Sequence, residues 1–144
     1  MVHGGVSSVA AAAIIAWMTI APEAVSAAEP AVFRCDFEKG HVFVFDKGLF
    51  RSENVKAMAF GFKGIDRARQ TAVMEQAGGE VPVKVVLAVN ALHFLEVAAE
   101  GFLNVTTIYD RDEVSGSHPA VHSRHFGVLG QAVVSQYQGR CSPG

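Results

Sequence analysis

Two cysteines, Cys35 and Cys141, are the only ones in the chain, one shortly after an apolar leader and the other three residues before the last residue. If they pair, the bond spans nearly the whole domain and brings its two ends together. That suits a fold whose first and last strands are neighbours, as in a closed barrel or compact sandwich. In the chain-entropy model such a loop is worth on the order of 4–5 kcal/mol. An even cysteine count argues for pairing only in an oxidising compartment. The start of the chain supplies the reason to expect one.

Val6–Ala21 contains only Ser7, Ser8 and Thr19 as polar residues, and Val9–Ile20 is a compact apolar stretch. It is shorter than the roughly 18–20 residues that a membrane-crossing helix needs. Val25-Ser26-Ala27-Ala28 then offers the small side chains of a signal-peptidase site, followed by Glu29-Pro30. Residues 1–28 are therefore expected to be a helical signal peptide cut after Ala28 or Ala27, and 29–144 a single domain. Met1–Gly5 lacks the usual Lys or Arg, and an uncleaved N-terminal anchor is the alternative. A periplasmic or secreted location follows, without stable membrane insertion once the leader is removed. Free redox thiols are the rival reading of the cysteines, but the sequence has no C-x-x-C.

Glu23 is the only charge in the leader, so the mature part keeps 12 basic residues against 13 acidic ones. That balance argues against a nucleic-acid partner, which needs a basic face for phosphate. All ten Phe lie in the mature part and the single Trp does not.

Alternation is the main signal along the mature chain. Phe33, Cys35 and Phe37 share one face and Arg34, Asp36 and Glu38 the other. His41–Asp46 continues in the same style after Lys39-Gly40, which reads as a turn, as does Lys47-Gly48. Met58, Phe60 and Phe62 alternate next, then Val83, Val85, Leu87 and Val89. Leu92–Val97, Phe102–Tyr109, Ala120–Phe126 and Ala132–Gln138 complete the set. The fold class is all-β: a small antiparallel up-and-down barrel, calycin- or lipocalin-like, or a compact sandwich of about eight strands. Ile65–Ala77 is ambiguous. Its Asp66–Ala72 part has helix propensity, but a strand over Thr71–Gln76, turning at Gly78-Gly79, makes the simpler meander.

Pro119-Ala120-Val121-His122-Ser123-Arg124-His125-Phe126 and Ser135-Gln136-Tyr137-Gln138-Gly139-Arg140-Cys141 stand out. With these V-H-S-R-H and S-Q-Y-x-G-x-C segments, the chain from Cys35 to Cys141 resembles a family of small secreted bacterial proteins of unknown function. The resemblance implies export and a β-rich domain. It carries no catalytic residue across.

Candidate chemistry gathers in the same region. His118, His122 and His125 would align on a helix and could then hold a metal ion or haem. On a strand, His118 and His122 share a face about 13 Å apart and His125 points the other way. Strand alternation puts His122 and Arg124 on one face and Ser123 and His125 on the other. The neighbouring strand sorts Tyr137 from Gln136 in the same way. With His93 and Glu96, these residues form the candidate surface for a small ligand or a protein partner, and Arg124 could pair with Glu96. A convergent hydrolase site of His125, Ser123 and Glu96 is a further alternative. Asp110-Arg111-Asp112-Glu113 lacks the glycine and distal glutamate of an EF-hand loop. Asn104-Val105-Thr106 is formally a glycosylation sequon. No G-x-S-x-G, H-E-x-x-H or phosphate-binding glycine loop occurs. The expectation is a monomeric, non-enzymatic exported barrel without a cofactor, binding a small apolar ligand or a protein.

Overall fold

The computed structural model describes Met1 and residues 29–98 and 101–144, and the expected signal-peptide helix lies outside them. The described residues form nine strands and no helix: β1 (Phe33–Asp46), β2 (Leu49–Asn54), β3 (Met58–Asp66), β4 (Thr71–Gln76), β5 (Gly79–Leu87), β6 (Ala91–Val97), β7 (Leu103–Tyr109), β8 (His118–Val128) and β9 (Gln131–Pro143). Their order is β2-β1-β3-β4-β5-β6-β7-β8-β9, and β1 also pairs with β9. The result is an eight-stranded antiparallel barrel with β2 added outside the closed ring. The all-β barrel expected from alternation is the fold.

β1 is long enough to serve two structures. Its first part, Phe33–Phe37, pairs with β3 and belongs to the barrel. Its second part, His41–Asp46, pairs with β2 and extends past the barrel wall together with the β8–β9 hairpin. Lys39-Gly40, expected to be a turn, is instead the site of a bulge within one continuous strand: the β1–β9 register shifts between Phe37 and Lys39. Close packing explains why glycine stands there. A Cβ on Gly40 would lie 2.7 Å from Tyr137 Cδ1, and one on Gly139 would lie 2.0 Å from the Asp36 carbonyl oxygen. Two side chains at these positions would push the first and last strands apart.

Ile65–Ala77 resolves as the end of β3, a turn over residues 67–70 and strand β4, with Ala77 in the next turn. Asp66 Oδ1 accepts a hydrogen bond from the Arg69 N–H at 2.8 Å, which holds the turn. β4 then pairs with β5 through Ala77-Gly78, one residue earlier than the Gly-Gly turn expected, because Gln76 faces Gly79. Tertiary pairing on both edges of β4 outweighs the helical propensity around Arg67–Ala72.

Inward positions fill the lumen. Phe33, Phe37, Phe62, Phe94, Ile108 and Val85 are fully buried. Phe62 on β3 and Phe94 on β6 stack across the barrel with ring centroids 3.9 Å apart. An eight-stranded barrel is just wide enough for side chains to fill, and here the large rings do so. At one end, residues before β1 fold over the opening: Arg67 bonds the Pro30 carbonyl at 3.1 Å and pairs with Glu29 at 2.6 Å. The outer wall of β3–β5 is charged, with Lys63 bridging Glu75 and Glu80.

Cys35 and Cys141 face each other in the β1–β9 register and form a disulfide inside the barrel, both almost fully buried. Closing a loop of 106 residues, the bond should stabilise the fold by about 5 kcal/mol through the unfolded state. Urea unfolding of Cys35→Ala/Cys141→Ala against the parent protein should show a loss of that order. A loss below about 1 kcal/mol would mean that strand pairing alone sets the closure.

Candidate functional site

Three adjacent strands turn polar groups into the lumen at the end opposite Arg67. β6, β7 and β8 set Glu96, Asn104 and Arg124 side by side, since Asn104 faces Glu96 on one side and Arg124 on the other. One step deeper, Phe94, Thr106 and His122 form the next row, continued by Tyr137 on β9. With Met58, Met74, Phe60 and Phe102, the upper row walls a recess of about 180 Å³ at this mouth.

Hydrogen bonds organise its floor. Asn104 Nδ2 donates to Glu96 Oε2 at 2.6 Å. Asn104 Oδ1 is fully buried and has no donor among the described residues. Thr106 Oγ1 and His122 Nδ1 share a hydrogen bond of 2.8 Å. The His122 ring sits 5.0 Å from Phe60 and 5.8 Å from Phe37, with Tyr137 at 5.9 Å. Burial among these rings pushes the imidazole pKa down to about 4, and the nearby Arg124 guanidinium adds to the shift. Arg124 lies 5.9 Å from the Phe126 ring centre, and Phe126 packs edge-on against Phe102. It forms no ion pair with Glu96, because Asn104 stands between them and takes the carboxylate.

The barrel wall divides the eight residues singled out in the sequence. Glu96, His122, Arg124 and Tyr137 belong to the lumen. His93, Ser123, His125 and Gln136 belong to the outer surface. His93 Nδ1 and Thr107 Oγ1 are hydrogen-bonded there at 2.9 Å, while Ser123 faces Gln136 and His125 faces Val134. Ser123 and His125 are thus separated from Glu96 by the wall itself. Residues 118–128 are strand, so the helix that would align His118, His122 and His125 does not form. His118 bonds the Tyr109 carbonyl at 2.8 Å and packs edge-on against Phe33 at the other end of the lumen. No group of three or more His, Cys, Asp or Glu among the described residues is placed to hold a metal ion.

No binding or catalytic sequence motif marks Asn104 and Thr106 as site residues. In Leu103–Tyr109 the apolar Val105 is the natural choice for the inside, yet Asn104, Thr106 and Ile108 occupy it. The signal lay in the neighbouring strand: once His122 and Arg124 face inward, their register partners Thr106 and Asn104 must do so too. Comparison with known proteins finds no matching family model, no similar curated protein and no similar solved structure.

His122 ties stability to pH. Unfolding restores its pKa to 6.5, so between about pH 6.5 and 4 the unfolded chain binds the extra proton. Stability is full above that window and falls as pH drops through it, by up to about 3 kcal/mol in total. Urea unfolding at pH 7.5, 5.5 and 4.5 should show this loss, and His122→Gln should remove most of the slope. An equal slope in both proteins would assign the effect to other groups.

Proposed function

We propose that this chain is an exported, non-catalytic binding protein whose ligand occupies the recess at the open mouth of the barrel. The observation that carries the reading is Asn104 Oδ1, a buried acceptor without a partner among the described residues. Leaving such a group unpaired costs about 1–3 kcal/mol, a cost that a ligand donor removes once a local opening of the mouth admits it to the atom. Beside it the Glu96 carboxylate keeps further acceptor capacity. Arg124 stands on the next strand, without an ion-pair partner among the described residues. Met58, Met74, Phe60 and Phe102 supply apolar walls.

The complementary ligand is small, with an apolar body and one N–H or O–H head. The volume of about 180 Å³ lies below the roughly 300–1,000 Å³ of drug-sized sites. Binding belongs at the mouth because phenylalanine rings occupy the lumen beneath. Separation of Ser123 and His125 from Glu96 supports a binding role over hydrolysis. Export is supported by the apolar leader with its small-residue cleavage site and by a disulfide that needs an oxidising compartment to form.

Native mass spectrometry of the protein purified from its own host should show a small bound molecule. Asn104→Leu should lose it, with affinity reduced about tenfold or more, while the ligand-free variant melts no lower than the ligand-free parent. Protein that is consistently empty, with no recess resonances shifted by an amphipathic fragment set, would overturn the proposal.

A further inference from the structure

β2 ends the described sheet: it pairs with β1, and no described strand pairs with its other edge. Which backbone groups that edge presents follows from its turn. Lys47 and Gly48 both have positive φ, 50° and 81°, and link Asp46 directly to Leu49 as a two-residue hairpin. Hydrogen-bonded and non-bonded pairs alternate from there. Leu49, Arg51 and Glu53 therefore bond to β1, and the Val55 N–H extends that series by donating to the Gly40 carbonyl at 3.1 Å. The N–H and C=O groups of Phe50, Ser52 and Asn54 point to the open edge.

Exposed edges are usually blunted by proline, a bulge or charged side chains, lysine above all. Leu49-Phe50-Arg51-Ser52-Glu53-Asn54 has no proline, lysine or bulge, only two charges that cancel, and all six residues are exposed. Its two charges are of opposite sign and stand two positions apart, on one face of the strand. That spacing makes the strand self-complementary in one register only. Consider two copies pairing antiparallel about a two-fold axis, with outward-pointing residues bonded to each other. An axis at Ser52 pairs Phe50 with Asn54 of the second copy and Ser52 with its own counterpart. Arg51 of each copy then faces Glu53 of the other, in the non-bonded pairs where side chains lie closest. Sliding one copy by two residues sets Arg51 against Arg51, or Glu53 against Glu53. Like charges directly opposite disfavour both slips.

We infer that β2 is a homodimerisation edge, on which two copies pair antiparallel about Ser52. Three bonded pairs supply two hydrogen bonds each, and two Arg51–Glu53 pairs fix the register. Neither charge has a better partner within one copy: Arg51 reaches Asp46 only at 3.8 Å, and Glu53 forms no ion pair among the described residues. On the opposite face Phe50, 59% exposed beside Phe45, would lie against Ser52 and Asn54 of the second copy. The expected monomer thus becomes a weak dimer, because a single six-residue edge is a small interface. No residue of β2 lines the mouth recess.

Sedimentation equilibrium of the mature protein from low micromolar to about 500 μM tests this. The parent should dimerise with concentration. Arg51→Glu and Glu53→Arg should each weaken association about tenfold or more, since each turns both charge pairs repulsive. The double variant Arg51→Glu/Glu53→Arg should restore it. Ser52→Pro, which removes an outward N–H that β1 does not use, should abolish it while the circular dichroism spectrum is unchanged. A monomer throughout the range, a dimer indifferent to the single charge changes, or a double variant as weak as the single ones would overturn the inference. The charge variants keep the test open even if Ser52→Pro does not fold.

Discussion

Eleven residue pairs join β1 to β9, from Phe33–Pro143 at one end to Val44–Val133 at the other. Without this ladder the sheet would remain open, with β1 and β9 exposing long unpaired edges and the phenylalanines of one face uncovered. Closure removes both liabilities at once. It also has the highest chain-entropy cost, because its partners lie at opposite ends of the domain. The disulfide sits within this ladder and offsets that cost by restricting the unfolded chain. Gly40 and Gly139 serve the same junction by letting the two strands approach where side chains would collide. Closure then fixes which residues face inward around the whole ring, since each register determines the next.

Much of this was legible in the residues. Period-two alternation in Phe33–Phe37, Met58–Phe62 and Val83–Val85 places those side chains inside, where they are. The cysteine positions implied adjacent terminal strands, and Cys35 and Cys141 are direct cross-strand neighbours. Other features depend on pairing that no local pattern reveals. Lys39-Gly40 carries turn chemistry, but β9 runs alongside and converts it into a bulge. Asp66–Ala72 favours a helix by composition, yet pairing with β3 and β5 draws its end into β4. In β7 the apolar Val105 faces outward and the polar Asn104 and Thr106 face inward, because strand β8 dictates the register. Hydrophobicity read one strand at a time inverts that face.

The inverted face makes the barrel asymmetric along its axis. Phenylalanine rings close the middle, residues 29–31 lie against one end beside a cleft of about 380 Å³, and a polar row of Glu96, Asn104 and Arg124 lines the other. His122 lies at the boundary, buried enough to stay neutral down to about pH 4 and bonded to Thr106 beneath the recess. The same register that closes the fold therefore delivers four of the eight residues singled out by sequence to the lumen and leaves four outside.

If closure by β1 and β9 is the constraint on which the rest depends, the amides of that ladder can exchange only when the whole barrel opens. Native-state hydrogen exchange of the oxidised protein measures this directly. The account predicts that amides bonded across β1–β9, around Cys35–Phe37 and Tyr137–Cys141, exchange with the free energy of global unfolding, and that none in β4 or β5 is slower. Exchange of the β1–β9 amides through a lower-energy opening, while β4–β7 stay protected, would contradict it.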